Sequence, residues 1–308
     1  MTQPWTGVGT ALVTPFTPDG SVDENAVRRL ARRQIEGGVR FLVPCGTTGE
    51  SPTLKHEEHL RVVELVLEEA RGAVPVLAGA GGYNTDEVAH LARELEDLGV
   101  QGILSVTPYY NKPTQEGLFR HYEHIASRTA LPIVVYNVPG RTGCNIEPRT
   151  VARLAAVPNI VGVKEASGNM TQMCEVVRVV PGDFIVLSGD DALTLPLMAV
   201  GGRGIISVAA NVVPGAMAKM VDAAERGDFA AARADHQRLM RFMLVNFVES
   251  NPIPVKAAMA MLGLLEEHYR LPMVPPADSS RAKMAEALAE LGLTATGTLT
   301  ESATRAVG

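Results

Sequence analysis

The stretch IVGVKEASG, residues 160–168, sets seven small or apolar residues around a lysine and a glutamate. A run this short, rich in β-branched residues and ended by Ser-Gly, predicts a strand buried on both faces. Side chains alternate along a strand, which puts Ile160, Gly162, Lys164 and Ala166 on one face and Val161, Val163 and Glu165 on the other. Lys164 therefore does not pair naturally with its sequence neighbour Glu165. The small residues beside it leave room for a long side chain.

Seven further runs of this type are GVGTALVTPF (7–16), FLVPCG (41–46), VPVLAGA (74–80), GILSVTP (102–108), PIVVYNVP (132–139), DFIVLSG (183–189) and GIISVA (204–209). They recur every ~20 to 35 residues with helical patterns between them, as in repeated βα units. Ser21 and Glu24 form a capping-box signature ahead of an apolar stripe at Val27, Leu30 and Ile35 that ends at Gly37-Gly38. Asn84 and Glu87 repeat it ahead of Val88, Leu91 and Leu95, and Gly99 closes that helix. Eight continuous apolar strands alternating with helices predict an α/β fold, a (β/α)₈ TIM barrel. A doubly wound open sheet is the alternative; it usually has fewer strands, and no GxGxxG follows the first one. From Pro214 onward the strand signal stops and helical patterns continue. The expected division is a catalytic barrel over 1–225, a small C-terminal helical domain over 226–293 and a loosely ordered Thr/Ala/Gly-rich tail over 294–308.

Composition narrows the function. The 308 residues carry a net charge of −6, with 46% hydrophobic and 20% charged residues, which argues against nucleic acid or an anionic membrane as the main partner. The one basic cluster, RRLARR at 28–33, lies at helical spacing beside apolar residues and reads as a solvated helix face. Cys45, Cys144 and Cys174 are odd in number in a large chain, which favours a reducing compartment over a disulfide framework. No His/Cys cluster has zinc-ligand spacing. The N-terminal residues lack a basic region before their apolar run, and no stretch approaches 18 apolar residues, so the expected location is cytoplasmic.

In a barrel of this kind chemistry sits at the C-terminal ends of the strands. There fall GTTGE (46–50), PYYN (108–111), Tyr136 with Arg141 just beyond it, Lys164, and SGDD (188–191). A buried amine without a carboxylate loses proton affinity by desolvation, from ~10.4 toward the ~7 to 8 of catalytic amines. Once neutral, it can attack a ketone and form a Schiff base. Each residue also has a bland reading: a paired structural lysine, a core tyrosine, a strand-to-helix turn, a surface arginine. GTTGE can equally be an anion nest for a carboxylate, and Arg141, after Pro139-Gly140, a carboxylate fork. The four together are more specific than any one. Cys45 beside GTTGE lacks an accompanying His/Asp set and reads as a small buried residue.

GTTGES, VTPYYN, YNVPGRTG, GVKEASGN and SGDD, with the later GIISVAANV and NPIPVKAAM, closely resemble the 4-hydroxy-tetrahydrodipicolinate synthase (dihydrodipicolinate synthase) family over residues 5 to 293. The resemblance implies condensation of pyruvate with L-aspartate 4-semialdehyde in diaminopimelate and lysine biosynthesis, with no metal or organic cofactor. Lys164 resembles the Schiff-base lysine, and Tyr136 the proton-transfer residue in a hydroxyl relay with Thr47 and Tyr110. The residue matching Tyr110 reaches in from a neighbouring subunit of a homotetramer built from tight dimers. Thr48 resembles the pyruvate-carboxylate residue and Arg141 the residue that holds the carboxylate of the aldehyde. Gly189 and Ile206 match positions whose backbone lines the site.

In lysine-inhibited relatives the positions matching Ser51, His56, His59, Glu87 and Tyr109 line an allosteric site. Tyr83 stands there in place of the family's asparagine, and Pro52 in place of a small residue. On their own, His56 and His59 at i, i+3 spacing read as an exposed helix face. Alternative readings are a related pyruvate-dependent aldolase, of the N-acetylneuraminate lyase or 2-keto-3-deoxy sugar acid aldolase type, and a non-catalytic keto-acid-binding protein. Arg141 and the Tyr109-Tyr110 pair favour the synthase, and the intact Lys164, Tyr136, Thr47 and Tyr110 set argues against loss of catalysis.

Overall fold

The computed structural model describes residues 4–293. The residues assigned from sequence to a tail, 294–308, lie outside them. Eight strands form where expected: β1 (Gly7–Ala11), β2 (Phe41–Val43), β3 (Leu77–Gly79), β4 (Gly102–Val106), β5 (Ile133–Asn137), β6 (Ile160–Glu165), β7 (Ile185–Ser188) and β8 (Gly204–Ser207). They pair in parallel in the order β2-β1-β8-β7-β6-β5-β4-β3. A parallel bridge from Leu42 to Val76 joins the two ends of that sheet, so the ring closes between β2 and β3.

Around it run α1 (Glu24–Glu36), α2 (His56–Ala70), α3 (Thr85–Leu98), α4 (Gln115–Ala126), α5 (Pro139–Thr142), α6 (Pro148–Leu154), α7 (Met170–Val179), α8 (Thr194–Ala199) and α9 (Pro214–Glu225). After them come α10 (Phe229–Val245), α11 (Ile253–Met261) and α12 (Asp278–Glu290). This is a (β/α)₈ barrel with C-terminal helices. Its strands are apolar on both faces because both are buried. Outward residues such as Val8, Leu42, Val135 and Val163 pack with the helices, whereas Ala11, Val43, Leu104, Tyr136, Leu187 and Ile206 fill the interior. Trp5 stands edge-on to Phe41 within that inner cluster, with ring centroids 5.6 Å apart.

Two local expectations are corrected. The first helix is capped by Asp23, whose carboxylate accepts from the Ala26 amide at 2.9 Å; Ser21 instead sits in the preceding turn, bonded to Asp19. Asn84 does cap α3, but Glu87 bonds the Asn84 side chain rather than its backbone, so the reciprocal box is not formed. Strand β6 also does not alternate throughout. Ile133 pairs with Ile160 and Val134 with Gly162, which leaves Val161 as an extra residue opposite β5. This bulge reverses the phase. Ile160 faces the helices and Val161 the interior, and the simple alternation holds only from Gly162 onward.

The C-terminal helices return to the strand tops. Lys256 of α11 is fully buried and donates to Glu50 Oε1 at 2.6 Å and to the Thr14 carbonyl at 3.1 Å. Arg270 makes a two-pronged contact with Glu58, both oxygens at 2.6 Å, and donates to the Thr53 carbonyl. These bonds fix the segment after Asn251 over the catalytic ends of β1 and β2. Replacing Lys256 with methionine leaves the Glu50 carboxylate buried without its cation and is expected to cost about 3–5 kcal/mol of stability. Denaturant unfolding measures this. The Lys256→Met/Glu50→Gln double variant should recover most of the loss, whereas a deficit below ~1 kcal/mol in the single variant would show that water reaches the pair.

Candidate active site

Lys164 stands at the C-terminal end of β6, directly across the ladder from Tyr136 of β5. It is 5% exposed, and its Nζ lies 4.1 Å from the centroid of the Tyr136 ring. A side chain on Gly189 would put its Cβ 3.0 Å from Lys164 Cε and 2.5 Å from Ala166 Cβ, so the glycine of SGDD is what leaves the lysine its space. No carboxylate among the described residues forms an ion pair with Lys164. Glu165 points outward, as the alternation predicts, and accepts from Asn137 Nδ2 at 2.9 Å, Gln172 Nε2 at 3.2 Å and the Ser167 amide at 2.7 Å.

Burial pulls the Lys164 pKa down to about 7. The Asp191 charge opposes this and the Arg141 charge adds to it. At pH 7 about half the amine is then neutral, against roughly one part in 3,000 for an unperturbed lysine. Asp191, the second acid of SGDD, was not assigned a role from sequence. Its oxygens accept from Ser207 Oγ at 2.5 Å and from the Val208 and Ala209 amides at 3.2 and 3.1 Å. It ties the end of β7 to the turn after β8, and burial lifts its own pKa to about 6.

Burial also raises the Tyr136 pKa, with the Arg141 charge and the Thr47 hydroxyl pulling the other way. The turn carrying Thr47 and Thr48 is closed by Gly49 and Glu50 amides donating to the Gly46 and Thr47 carbonyls, both at 3.1 Å, with Glu50 in a left-handed conformation. Those amides are thus not available to an anion. The hydroxyls of Thr47 and Thr48 remain. Thr48 is buried, and its Oγ1 accepts from Asn251 Nδ2 at 2.9 Å. Arg141, in the single turn of α5, donates from Nη2 to the Asn251 carbonyl at 3.1 Å. Ile206 lies in the barrel interior.

A cavity of about 950 Å³ is lined by Thr47, Tyr136, Arg141 and Asn251 among others; Lys164, Thr48, Gly189 and Ile206 are not among its lining residues. Tyr110 stands at its edge, 92% exposed and at positive φ, and its hydroxyl has no hydrogen bond among the described residues. Within one chain it is not joined to Tyr136. A second recess of about 360 Å³ brings together His56, Tyr83, Glu87 and Tyr109. The Tyr83 and Tyr109 rings meet edge-on at 5.2 Å. Ser51 and His59 line the larger cavity instead. His59 is not on an exposed helix face. It is buried and bonded to the Gly79 carbonyl at 2.9 Å, and burial lowers its pKa to about 4. The Cys45 thiol is buried and pushed well up, consistent with a packing role.

Sequence reasoning missed Asn251 and the Lys256–Glu50 pair. The signal was present in NPIPVKAAM, where a lysine interrupts an apolar helix. Its partner lies 206 residues away in sequence, which no local pattern reveals.

A (β/α)₈ barrel with a buried lysine set against a tyrosine at the strand ends fits one class: a lyase of the class I aldolase type. The chain belongs to the dihydrodipicolinate synthetase family, whose model matches residues 4–291. The 4-hydroxy-tetrahydrodipicolinate synthase of Koribacter versatilis is 53% identical over 296 residues, covering 96% of this chain and 99% of that protein. The crystal structure of dihydrodipicolinate synthase from Thermotoga maritima matches with a TM-score of 0.92 at 45% identity, covering 94% of this chain and 99% of the other. The chloride-inhibited enzyme of Acinetobacter baumannii complexed with pyruvate matches with a TM-score of 0.92 at 40% identity, over 95% and 99% of the two chains.

Proposed function

We propose that this chain condenses pyruvate with L-aspartate 4-semialdehyde through an imine on Lys164, giving 4-hydroxy-tetrahydrodipicolinate in diaminopimelate and lysine biosynthesis. The observation that carries this reading is the Lys164 amine, buried with no ion-pairing carboxylate among the described residues and 4.1 Å from the centroid of the Tyr136 ring, where burial lowers its proton affinity. Pyruvate bound to the Acinetobacter baumannii relative supports the choice of keto acid. Lys164 Nζ attacks the keto carbon, and loss of water gives the iminium. This acidifies the methyl group, which loses a proton to form an enamine. The enamine carbon attacks the aldehyde, and the amino group of that substrate then closes the ring and displaces Lys164.

Thr48 holds the pyruvate carboxylate, and the unused donors of Arg141 grip the carboxylate of the aldehyde. The backbone at Gly189 and Ile206 lines the site. Tyr136 and Thr47 move protons at each step without adding a fixed charge to the site. Tyr110, whose hydroxyl makes no hydrogen bond among the described residues, extends this relay into a neighbouring chain of a cytoplasmic homotetramer. A fully active monomer in sedimentation analysis would remove that role. The reaction is tested by coupling product formation from the two substrates to the NAD(P)H-dependent reductase that consumes the product. Turnover is expected. Its absence, with pyruvate still captured on Lys164, would move the chain to a sugar-acid aldolase.

L-Lysine inhibits this enzyme by binding the recess of His56, Tyr83, Glu87 and Tyr109, where Glu87 offers a carboxylate to an ammonium group. Ser51 and His59 line the larger cavity, which shares His56 and Tyr109 with this recess. Titrating activity with L-lysine should give saturable inhibition that Glu87→Gln weakens. Unchanged activity at high lysine would end the idea.

A further inference from the structure

We propose that the side-chain carbonyl of Asn251 receives the amino group of the second substrate, so that Asn251 and Arg141 together read the amino-acid end of the aldehyde. The inference rests on the reading of the site given above and adds a residue to it. Asn251 is 4% exposed and lines the large cavity with Tyr136 and Arg141, and its Oδ1 is buried with no hydrogen-bond partner among the described residues. A buried polar oxygen without a partner is a standing cost that a bound ligand can remove.

The orientation of this amide follows from its neighbour. Thr48 has one hydroxyl proton, which it gives to the pyruvate carboxylate. Its oxygen is then free to accept, and it does so from Asn251 Nδ2 at 2.9 Å. The amide nitrogen is thus held at Thr48, and the carbonyl end is left for the substrate. The backbone carbonyl of the same residue accepts from Arg141 Nη2 at 3.1 Å, so guanidinium and carboxamide are fixed to one another. In L-aspartate 4-semialdehyde the carboxylate and the amino group share one carbon. A guanidinium holding the first brings the second to whatever acceptor lies beside it.

The acceptor is neutral, and this suits the chemistry. Glu50 is the one carboxylate among the described residues that lines the cavity, and Lys256 already holds it at 2.6 Å. A free carboxylate would stabilise the ammonium form, yet the group must lose a proton before it can close the ring. An amide carbonyl orients the nitrogen without that penalty.

The test compares the full chain with Asn251→Ala and Asn251→Asp on two aldehydes, L-aspartate 4-semialdehyde and succinate semialdehyde, which lacks the amino group. The readout is aldehyde-dependent consumption of pyruvate. Asn251→Ala should lower kcat/KM for both aldehydes through the lost bond to Thr48, and lower that for the amino aldehyde by a further tenfold to hundredfold, roughly, because a site built for a hydrogen bond discriminates against its absence. Asn251→Asp keeps an oxygen acceptor at the same volume and should retain the preference for the amino aldehyde in KM, at a lower kcat because a carboxylate holds the amino group protonated. Equal losses on both aldehydes would show that Asn251 acts only through Thr48 and would overturn the proposal, as would a preference unchanged in Asn251→Ala or a KM preference abolished in Asn251→Asp. Borohydride capture of pyruvate by the unmodified chain separates the two levels: its failure would strike the reading of the site, not the role of Asn251.

Discussion

Replacing Lys164 with alanine is expected to reduce turnover by about 10⁴-fold or more, since the covalent route is lost and not merely slowed. The fold should survive, because the side chain forms no ion pair and its removal takes away a buried amine that burial already disfavours. Lys164→Arg is expected to fail almost as completely, since a guanidinium stays protonated where an amine at about pKa 7 does not. The same property sets the pH dependence of pyruvate capture. The folded-state pKa lies below the ordinary value, so the neutral, nucleophilic form grows as pH rises through about 7 and is nearly complete above 8. Initial capture rates should follow that curve, with about a tenth of the plateau at pH 6. A midpoint near 10 would mean that the amine is solvated when it reacts. Activity of Lys164→Ala within tenfold of the unmodified chain would place the nucleophile elsewhere.

The second large effect is expected from Tyr136→Phe. The ring that packs 4.1 Å from Lys164 Nζ is kept and the hydroxyl beside Thr47 is removed. Proton transfer by a positioned side chain contributes roughly 10²–10⁴-fold. The variant should lose at least about a hundredfold in kcat while still capturing pyruvate on Lys164, because the amine is made neutral by burial and not by the tyrosine. Steady-state rates and single-turnover capture separate the two. Near-normal turnover would remove Tyr136 from proton transfer, and equal loss of capture would make it a packing residue for the lysine.

Much of the fold was legible because each strand of a closed parallel sheet is buried on both faces and so appears as an uninterrupted apolar run. The placement of Lys164, Tyr136, Arg141 and GTTGE at strand ends followed from the same runs. Features that depend on contacts between distant segments were not legible. The bulge at Val161 arises from the pairing of β5 with β6 and leaves no mark in the residue types. Asp191 has no assignable role in the motif SGDD alone, yet it is a strut between β7 and β8. Asn251 and Lys256 look like parts of a terminal helix, and only the return of that helix to Thr48 and Glu50, some 200 residues earlier, gives them a place at the site. The cap at Asp23 shows the same limit at short range. The capping-box spacing pointed to Ser21, whereas the turn brings Asp23 to the helix start.

The measurement to make first is borohydride reduction of the chain in the presence of pyruvate, followed by peptide mapping. A pyruvate-dependent adduct on the peptide holding Lys164, absent from Lys164→Ala, is the result expected of an imine-forming barrel. Undiminished turnover with no adduct, or an adduct on another lysine, would contradict it.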